Sequence, residues 1–510
     1  MSSGIVLRRG AAGLFLVLVA GLLFLKAVNA GLNHDEQQFV APSVLLARDG
    51  ALPYRDFALL HMPNLVFAYA ALDTLTPYHF LAARLFNAAC AWGIVALVFA
   101  VCHRLLGAFD PWRRLALACG FAVLVLFSTL ALKTNGRTWN HDPALLLVVI
   151  GFLAYVIAAR GERAGAWMFL SGLAVGLAVG TRLTFAPIVA PFGLAVLLLP
   201  GAAWARRVTL AAIFTLGVLI AVLPAVYFLA TQPEPFLYGN VESQRLRLTD
   251  PTDEWARKTA TIWRKVRFFA KVVMLSDVPL FLSFFAVGIP GFVAHFRRAP
   301  AAERQRVWSG ALLLMLLIPF VFAGALAPTR FQHQHYYALV PFLVISACFG
   351  LSQRMARARQ ASIFIGVLAG ASLVLGWNEV REFAILREFE RWVPVRAHRI
   401  GGEIAGLAKA GRVLTLAPIY PLEGGAKIYS ELAVGPFAYR LAHLMPAEKR
   451  KRVSVCAPDD LPALLEREPP AAILLGAADE NLEAALREHA RTKGFTKAKQ
   501  FGKLVLWIAP

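Results

Sequence analysis

The chain has 510 residues, of which 58% are hydrophobic and only 16% charged, with a mean hydropathy of +0.60. That balance is too apolar for a water-soluble globule of this length and predicts a polytopic membrane protein. The net charge of +21 does not point to nucleic acid, because most of the arginines stand in short clusters between apolar stretches, where they orient helices in a membrane. Of the five cysteines, Cys90, Cys102, Cys119 and Cys348 lie in or beside apolar stretches and Cys456 stands alone, so neither a disulfide framework nor a zinc spacing is present.

Apolar stretches of the length a bilayer core requires fall near 11–30, 79–103, 114–132, 143–159, 166–181, 183–199, 208–230, 277–296, 308–327, 336–351 and 361–377. They predict about eleven membrane helices. The first follows Arg8 and Arg9 but ends in no small-residue cleavage pattern, and reads as a retained helix rather than a signal peptide. With Arg8 and Arg9 cytoplasmic, alternation puts Arg104/Arg113/Arg114, Arg160/Arg163, Arg206/Arg207, Arg297/Arg298/Arg304/Arg306 and Arg354/Arg357/Arg359 on the same side. The expected setting is a bacterial inner membrane, with the N-terminus cytoplasmic. This count depends on a break at Thr181-Arg182, since one long kinked helix there would invert everything downstream.

The transmembrane domain is expected over 1–377, with external, periplasmic loops at 31–78 and 231–276. The second loop carries Arg245, Arg247, Arg257, Lys258, Arg264, Lys265, Arg267 and Lys271, against the positive-inside rule, which is counted over shorter loops. Within it, Trp255 to Met274 interleaves Trp263, Phe268 and Phe269 with the bases, as an amphipathic helix lying on a membrane would. That helix reads as a headgroup-binding surface or as a platform for a lipid-linked phosphate. From Asn378 the chain turns polar and alternates strand-like stretches (412–416, 452–456, 471–475, 503–508) with helix-like ones (460–468, 481–493). A small C-terminal α/β domain over 378–510, also periplasmic, is expected. Glu423-Gly424-Gly425 lacks the spacing of a phosphate loop, which favours a scaffold or acceptor-recognition role.

Three external segments hold the polar residues of interest. Asn33-His34-Asp35-Glu36 follows the first apolar stretch directly, and a carboxylate pair there costs desolvation energy unless it works or is paired. Both acids could equally be first-turn charges of a surface helix that ends at Asp49-Gly50. Leu52-Pro53-Tyr54-Arg55-Asp56-Phe57 comes next, where Arg55 and Asp56 form either a local ion pair or a phosphate or sugar contact. The segment Lys133–Pro143 places Asp142 at the start of the fourth helix, as a cap or a functional acid, with His141 beside it. Lys133 and Arg137 there either snorkel or bind substrate. Last, Pro328-Thr329-Arg330-Phe331-Gln332-His333-Gln334-His335-Tyr336-Tyr337 precedes Pro341. Arg330 is an interfacial anchor or a phosphate ligand. The His-x-His pair could take a divalent metal ion but has no nearby carboxylate, and hydrogen bonding to a sugar or phosphate, or packing of Tyr336 and Tyr337, is the simpler reading.

The acidic pair after the first helix, the Leu-Pro-Tyr-Arg-Asp-Phe stretch, the Asp opening the fourth helix and the Arg…His-Tyr-Tyr…Pro segment occur in this order over about residues 10–350. The chain thereby resembles the membrane-embedded C-type glycosyltransferases that include protein O-mannosyltransferases, aminoarabinose transferases acting on lipid A and rhizobial galacturonosyltransferases of lipopolysaccharide. The resemblance implies a polytopic α-helical C-type fold and a sugar donor carried on polyprenyl phosphate. The acceptor would be a hydroxyl of lipid A or lipopolysaccharide, another envelope glycan, a lipid or a protein. It casts Asp35 as general base, with Asp142 and Glu36 at the same centre, although Glu36 would point about 100° away on a shared helix and orient acceptor or metal, or anchor the loop. Developing phosphate charge would be met by Arg330, Arg55, Arg264, Arg267 and Lys271, or by a divalent ion, and substrate by Tyr54, His141, His335, Tyr336, Lys133 and Arg137. No other cofactor is implied, and one base with one leaving-group clamp suggests single displacement with inversion. A transporter or lipid flippase is a rival, against which stand the clustering of charge at one face and the lack of a repeated broken-helix pair. A noncatalytic envelope-assembly protein is another.

Overall fold

The computed structural model describes residues 3–161, 163–251, 253–259, 261–298, 301–330, 332–353 and 358–510. Phe331, Arg354 and Arg357, and the side chains of Trp255, Arg298, Arg304 and Arg306, lie outside the described residues. Because a bilayer offers no hydrogen-bond partners, apolar stretches bond their backbone internally as helices. These are α1 (Ser3–Asn29), α2 (Gln37–Asp49), α3 (Asn64–Asp73), α4 (His79–Leu105), α5 (Pro111–Leu126), α6 (Thr129–Thr134), α7 (His141–Ala158), α8 (Ala164–Thr181), α9 (Val189–Leu197) and α10 (Trp204–Thr231). Further apolar helices cover 278–298, with a π-turn, and Ala301–Leu326, Val340–Ser352 and Ala358–Gly376. Among the described residues eight helices are long and apolar enough to cross a membrane, and 183–197 and 310–326 are shorter apolar ones. The chain is a multi-pass membrane protein.

The break at Thr181-Arg182 is present. Arg182 is extended, at φ −151° and ψ 111°, and the chain turns back through Leu183–Ile188 into α9. Residues 158–161 and 199–202, at the far ends of α7 and α9, line one hollow with Arg206, so α8 and α9 run in opposite directions. Small residues let neighbours approach: a Cβ at Gly172 of α8 or Gly217 of α10 would run into the other helix's backbone. At one end of the bundle Arg113 bonds Ser362 at 2.8 Å and His295 pairs with Gln353 at 2.8 Å. The other end, the loop face, gathers the segments after α1, around α6, after α10 and before Val340.

Segment 231–276 is a string of short helices. The expected amphipathic helix is interrupted after Thr259 and again by a π-turn over Phe269–Val273. Ile262 and Trp263 are exposed, whereas Phe268 and Phe269 turn inward onto Tyr336, with ring centroids 6.4 and 5.1 Å away.

The C-terminal domain begins with helix Val393–Ala408. Its sheet has β1 (Arg412–Thr415), β2 (Lys427–Ile428), β3 (Ala472–Leu475), β4 (Thr496–Phe501) and β5 (Leu504–Ile508) in the order β2-β1-β3-β5-β4. β1 is parallel to β2 and β3, and β5 is antiparallel to β3 and β4. Helices Leu461–Arg467 and Ala484–Thr492 fall where expected. Residues 452–456 are not a strand. The chain leaves helix Ala447–Arg452, takes a left-handed turn at Ser454 (φ 53°), and buries Val453 and Val455 with Ala58, Leu60 and Tyr238 of the membrane domain. β4, Thr-Lys-Ala-Lys-Gln-Phe, is an exposed edge strand whose lysines guard it against pairing with other chains.

This domain sits on the loop face. Glu423 accepts a hydrogen bond from the Phe80 N–H at the start of α4, and Gln37 Oε1 accepts from the Ile419 N–H at 2.9 Å. Consequently α2 is not the surface helix expected from its sequence. It is closed over, with Gln37 to Leu45 all buried.

Candidate functional site

The site is built around an arginine inside an apolar helix. Arg84 of α4 is fully buried, and such a charge must find partners. Its guanidinium donates to the carbonyls of Ala27 (3.0 Å), Ala30 (2.5 Å) and Gly31 (3.3 Å), where α1 ends, and lies 4.3 Å from the Phe80 ring centroid. Its other edge holds Glu36 in a two-point bond, Nε–Oε1 3.0 Å and Nη2–Oε2 2.8 Å. Glu36 also accepts from the Thr138 N–H (2.9 Å) and the Asn33 N–H (2.9 Å). With the Thr138 hydroxyl at 3.4 Å, five donors fill this carboxylate, which ties α1, α4 and the segment before α7 together.

With Glu36 fixed inward, the short 3₁₀ turn His34–Glu36 turns Asp35 outward. The Asp35 backbone N–H is capped by Asn33 Oδ1 (2.9 Å), while its side chain, 28% exposed, accepts no hydrogen bond among the described residues and has His34 Nε2 at 3.6 Å. Burial pushes its carboxyl above the ordinary carboxylate range and Glu36 pushes the same way, while His34, Arg247 and Arg137 pull it down. Asp35 is thus a carboxylate with free lone pairs and a cationic surround.

Arg247 lies in helix Ser243–Thr249. Burial lowers its pKa, and its field reaches Arg330, Asp35, Asp253 and Arg440. The Phe437 ring of the C-terminal domain lies 6.0 Å from its guanidinium and stacks on His34 at 5.5 Å. Arg330 is held by Asp253, with Nε–Oδ2 2.9 Å. Lys265 turns inward to the carbonyls of Leu326 (2.7 Å) and Pro328 (2.6 Å), which fixes the chain entering the Arg330 turn. Its neighbours Arg264, Arg267 and Lys271 are exposed, and Arg264 bonds the Lys258 carbonyl at 2.7 Å.

A second group lies deeper. Asp142 is buried in the first turn of α7 and does not cap the helix, whose N-cap is Asn140. Tyr337 donates to it, and so does the Asn135 amide, 2.9 Å away when that amide is oriented by its neighbours. Arg182 donates through Nη1 to Asn140 Oδ1 (2.8 Å) and His141 Nε2 (2.7 Å), and through Nε to Thr184 Oγ1 (2.8 Å). His141, Arg182, Thr184, Gln334, His335 and Tyr337 supply the polar lining of a narrow hollow of about 10 Å³, room for roughly one water, closed on its apolar side by Leu145, Phe185, Val321 and Ala325. The fields of Arg182 and Arg247 both reach His61, which burial above all pulls down to about 3, and which stacks on Phe39 at 4.6 Å.

The remaining expected residues divide. Arg137 lies 5.1 Å from the Trp139 ring, and its charge acts on both Asp35 and Glu36. Lys133 is exposed. Arg55 is exposed and paired to Asp56 (Nη2–Oδ2 2.7 Å), and that hydrogen bond holds Asp56 below the usual carboxylate range. Tyr54 has no face to offer a ligand. Its backbone sits at φ 64°, its hydroxyl bonds the His61 carbonyl, and its ring is buried between Phe228 and Phe236, each 5.1 Å away. Tyr336 is likewise fully buried, its hydroxyl 3.3 Å from the Lys265 carbonyl. His333 packs edge-on against Phe268 at 5.3 Å, whereas His335 faces the hollow, so the pair does not converge. Among the described residues no three His, Cys, Asp or Glu gather as a metal site. Arg84, Arg182, Arg247, Lys265 and Tyr337 were not marked as site residues by the sequence. Charges at or inside apolar helices were the available signal for Arg84 and Arg182.

No protein-family model and no curated protein matches the chain. Solved structures do. The chain is similar to ArnT from Cupriavidus metallidurans bound to undecaprenyl phosphate (TM-score 0.60, 15% identity) and to ArnT in the apo state (TM-score 0.61, 15% identity), over 98% of both chains in each case. It is also similar to the apo oligosaccharyltransferase of Archaeoglobus fulgidus, at TM-score 0.51 and 11% identity, over 91% of this chain and 69% of the other. At these identities the likeness is one of fold, and the fold is that of the membrane-embedded C-type glycosyltransferases.

Proposed function

We propose that this protein transfers a sugar from a polyprenyl-phosphate donor to an acceptor hydroxyl at the external, periplasmic face of a bacterial inner membrane. The observation that carries the reading is the division of labour in the acidic pair: Glu36 is consumed by Arg84, while Asp35 keeps oxygens unbonded among the described residues, within the fields of Arg247 and Arg137. Asp35 accepts the proton of the acceptor hydroxyl as its oxygen attacks the anomeric carbon, and the bond to the phosphate oxygen breaks on the opposite side with inversion. Arg247 and the Asp253-held Arg330 meet the charge that grows on the departing phosphate. Glu36 and Arg84 are positioning residues that set the direction of Asp35, and Asp142 with Tyr337 and Asn135 shapes the floor of the site. Phe437 brings the C-terminal domain to the same place, over His34 and beside Arg247.

The carboxylate is prepared for this task by opposing effects. Burial raises its proton affinity, which makes it a better base than a solvated aspartate, while the surrounding cations pull that affinity part of the way back. Mass analysis of the cell envelope with and without the protein tests the reading. One lipid, glycan or protein species should lose a single sugar when the protein is absent, and polyprenyl-phosphate sugar should accumulate. An unchanged envelope together with unchanged donor levels would refute it.

A further inference from the structure

A wider hollow opens at the far end of the bundle, between the α7–α8 turn and the turn from α9 into α10. Its volume is about 190 Å³, room for several waters and so for a phosphate head. Both turns are curled by glycine, Gly161 at φ 107° and Gly201 at φ 70°, conformations that other residues adopt only at a cost. A Cβ on Gly161 would stand 4.0 Å from Arg206 Nη2, so the guanidinium of one turn lies over bare backbone of the other. Arg160 lines the same hollow, and among the described residues no aspartate or glutamate does. In sequence the two turns and the start of α10 hold Arg160, Arg163, Arg206 and Arg207 against Glu162 alone. The rest of the lining is apolar or backbone, with Leu199 and Leu210 on its walls. Exposed apolar side chains flank it, Leu198 before the turn and Trp204 and Val208 after it, and Leu216, Leu219 and Leu223 extend the strip along α10.

We infer that this hollow binds the head of an acidic phospholipid from the leaflet remote from Asp35, with the acyl chains lying against α10. A basic pocket between membrane helices suits such a head, because the phosphate gains charge-assisted bonds from arginine while the chains cover apolar helix surface. A soluble phosphate would use the arginines and leave the apolar strip uncovered. The polyprenyl-phosphate donor does not belong here, since the 18 residues of α7 separate this end from Asp142, about 27 Å at 1.5 Å per residue. The site is thus distinct from the transferase centre, and the inference does not depend on that reading. The lipid pins the two turns together and steadies α7 and α8, whose other ends present Asp142 and Arg182.

The test measures binding of the first lipid to the full-length protein in detergent by native mass spectrometry, with phosphatidylglycerol, phosphatidylcholine and inorganic phosphate as probes. The wild type should bind phosphatidylglycerol about 5- to 30-fold more tightly than phosphatidylcholine, the range for one or two arginines at a membrane surface. An excess of inorganic phosphate should not displace it. Arg160→Gln combined with Arg206→Gln should remove most of the preference. Arg8→Gln combined with Arg9→Gln takes the same charge from the same end of the bundle and should keep it. Ala202→Trp leaves every charge in place, fills the hollow, and should weaken phosphatidylglycerol by a similar factor. Equal loss in the Arg8 and Arg9 variant would reduce the effect to the general field of a basic face and overturn the inference, as would an undiminished preference without Arg160 and Arg206. So would displacement by inorganic phosphate, or a wild type that binds both lipids alike, two results that need no variant. Sugar transfer is not read, so failure of the transferase reading leaves this outcome untouched.

Discussion

The pair Glu36–Arg84 carries the first prediction. Both side chains are fully buried, and the carboxylate accepts two bonds from the guanidinium, at 3.0 and 2.8 Å, and two from backbone N–H groups, both at 2.9 Å. Glu36→Gln keeps the shape, removes the charge, and turns one acceptor oxygen into an NH₂ that must face either Arg84 or the backbone donors. Removing one partner of a buried pair costs about 3–5 kcal/mol, roughly 150- to 4,000-fold in the unfolding equilibrium. Arg84→Met should cost a similar amount, because Glu36 is then the unpaired charge and three carbonyls of the α1 terminus lose their donor. The double variant should be less damaged than the sum of the two, since neighbours in one network couple by about 0.5–3 kcal/mol. Thermal unfolding of the purified proteins in one detergent, with donor binding as a second readout, measures all three. A Glu36→Gln protein that unfolds with the wild type yet has lost its activity would refute the positioning role and make Glu36 a chemical participant. Additive losses would deny the pair.

Two further outcomes follow from the same geometry. Arg247 pulls the Asp35 pKa down, so Arg247→Gln raises it, and the acidic limb of the rate–pH profile should move to higher pH. An unmoved limb would separate Arg247 from Asp35. Glu423, held within the C-terminal domain by His398 at 2.9 Å, joins that domain to the start of α4 through the Phe80 N–H. Glu423→Ala leaves that buried donor unpaired at a cost of about 1–3 kcal/mol and should expose the interface around α2 to limited proteolysis. An unchanged cleavage pattern would show that other contacts hold the domain.

Much of the membrane fold is legible because its determinant is local. A run of apolar residues must become a helix in lipid whatever surrounds it, so the stretches from 11–30 to 361–377 fall on helices, and the turn at Arg182 is visible as a charge between two of them. The C-terminal strands at 412, 472 and 504 carry β-branched and leucine runs and are equally plain. Residues 452–456 show the limit. Val453 and Val455 alternate with polar residues as a strand would, but their apolar partners are Ala58, Leu60 and Tyr238, some 200 to 400 positions away. The burial of α2 was hidden for the same reason, because its cover is a domain from the other end of the chain. In the site, Asp35 and Glu36 were legible as a pair, and their unequal surroundings agree with the divergent directions expected from their helical offset. The inward turn of Glu36 depends on Arg84, 48 residues away. A charged residue inside the stretch 79–103 is itself a demand for a counter-charge, and that was the signal by which Arg84 could have been matched to Glu36. Arg247 and Lys265 carried no such mark, since each is one base among many in 231–276 and only the turn of a short helix brings it inward.

The central claim is that Asp35 removes the proton of the acceptor, and it is tested most directly by Asp35→Asn. The purified variant, given the polyprenyl-phosphate sugar and acceptor identified from the envelope comparison, should bind the donor as the wild type does. Its transfer rate should fall by about 10²- to 10⁴-fold, the usual contribution of a general base. Transfer at the wild-type rate by a correctly folded Asp35→Asn protein would contradict the account.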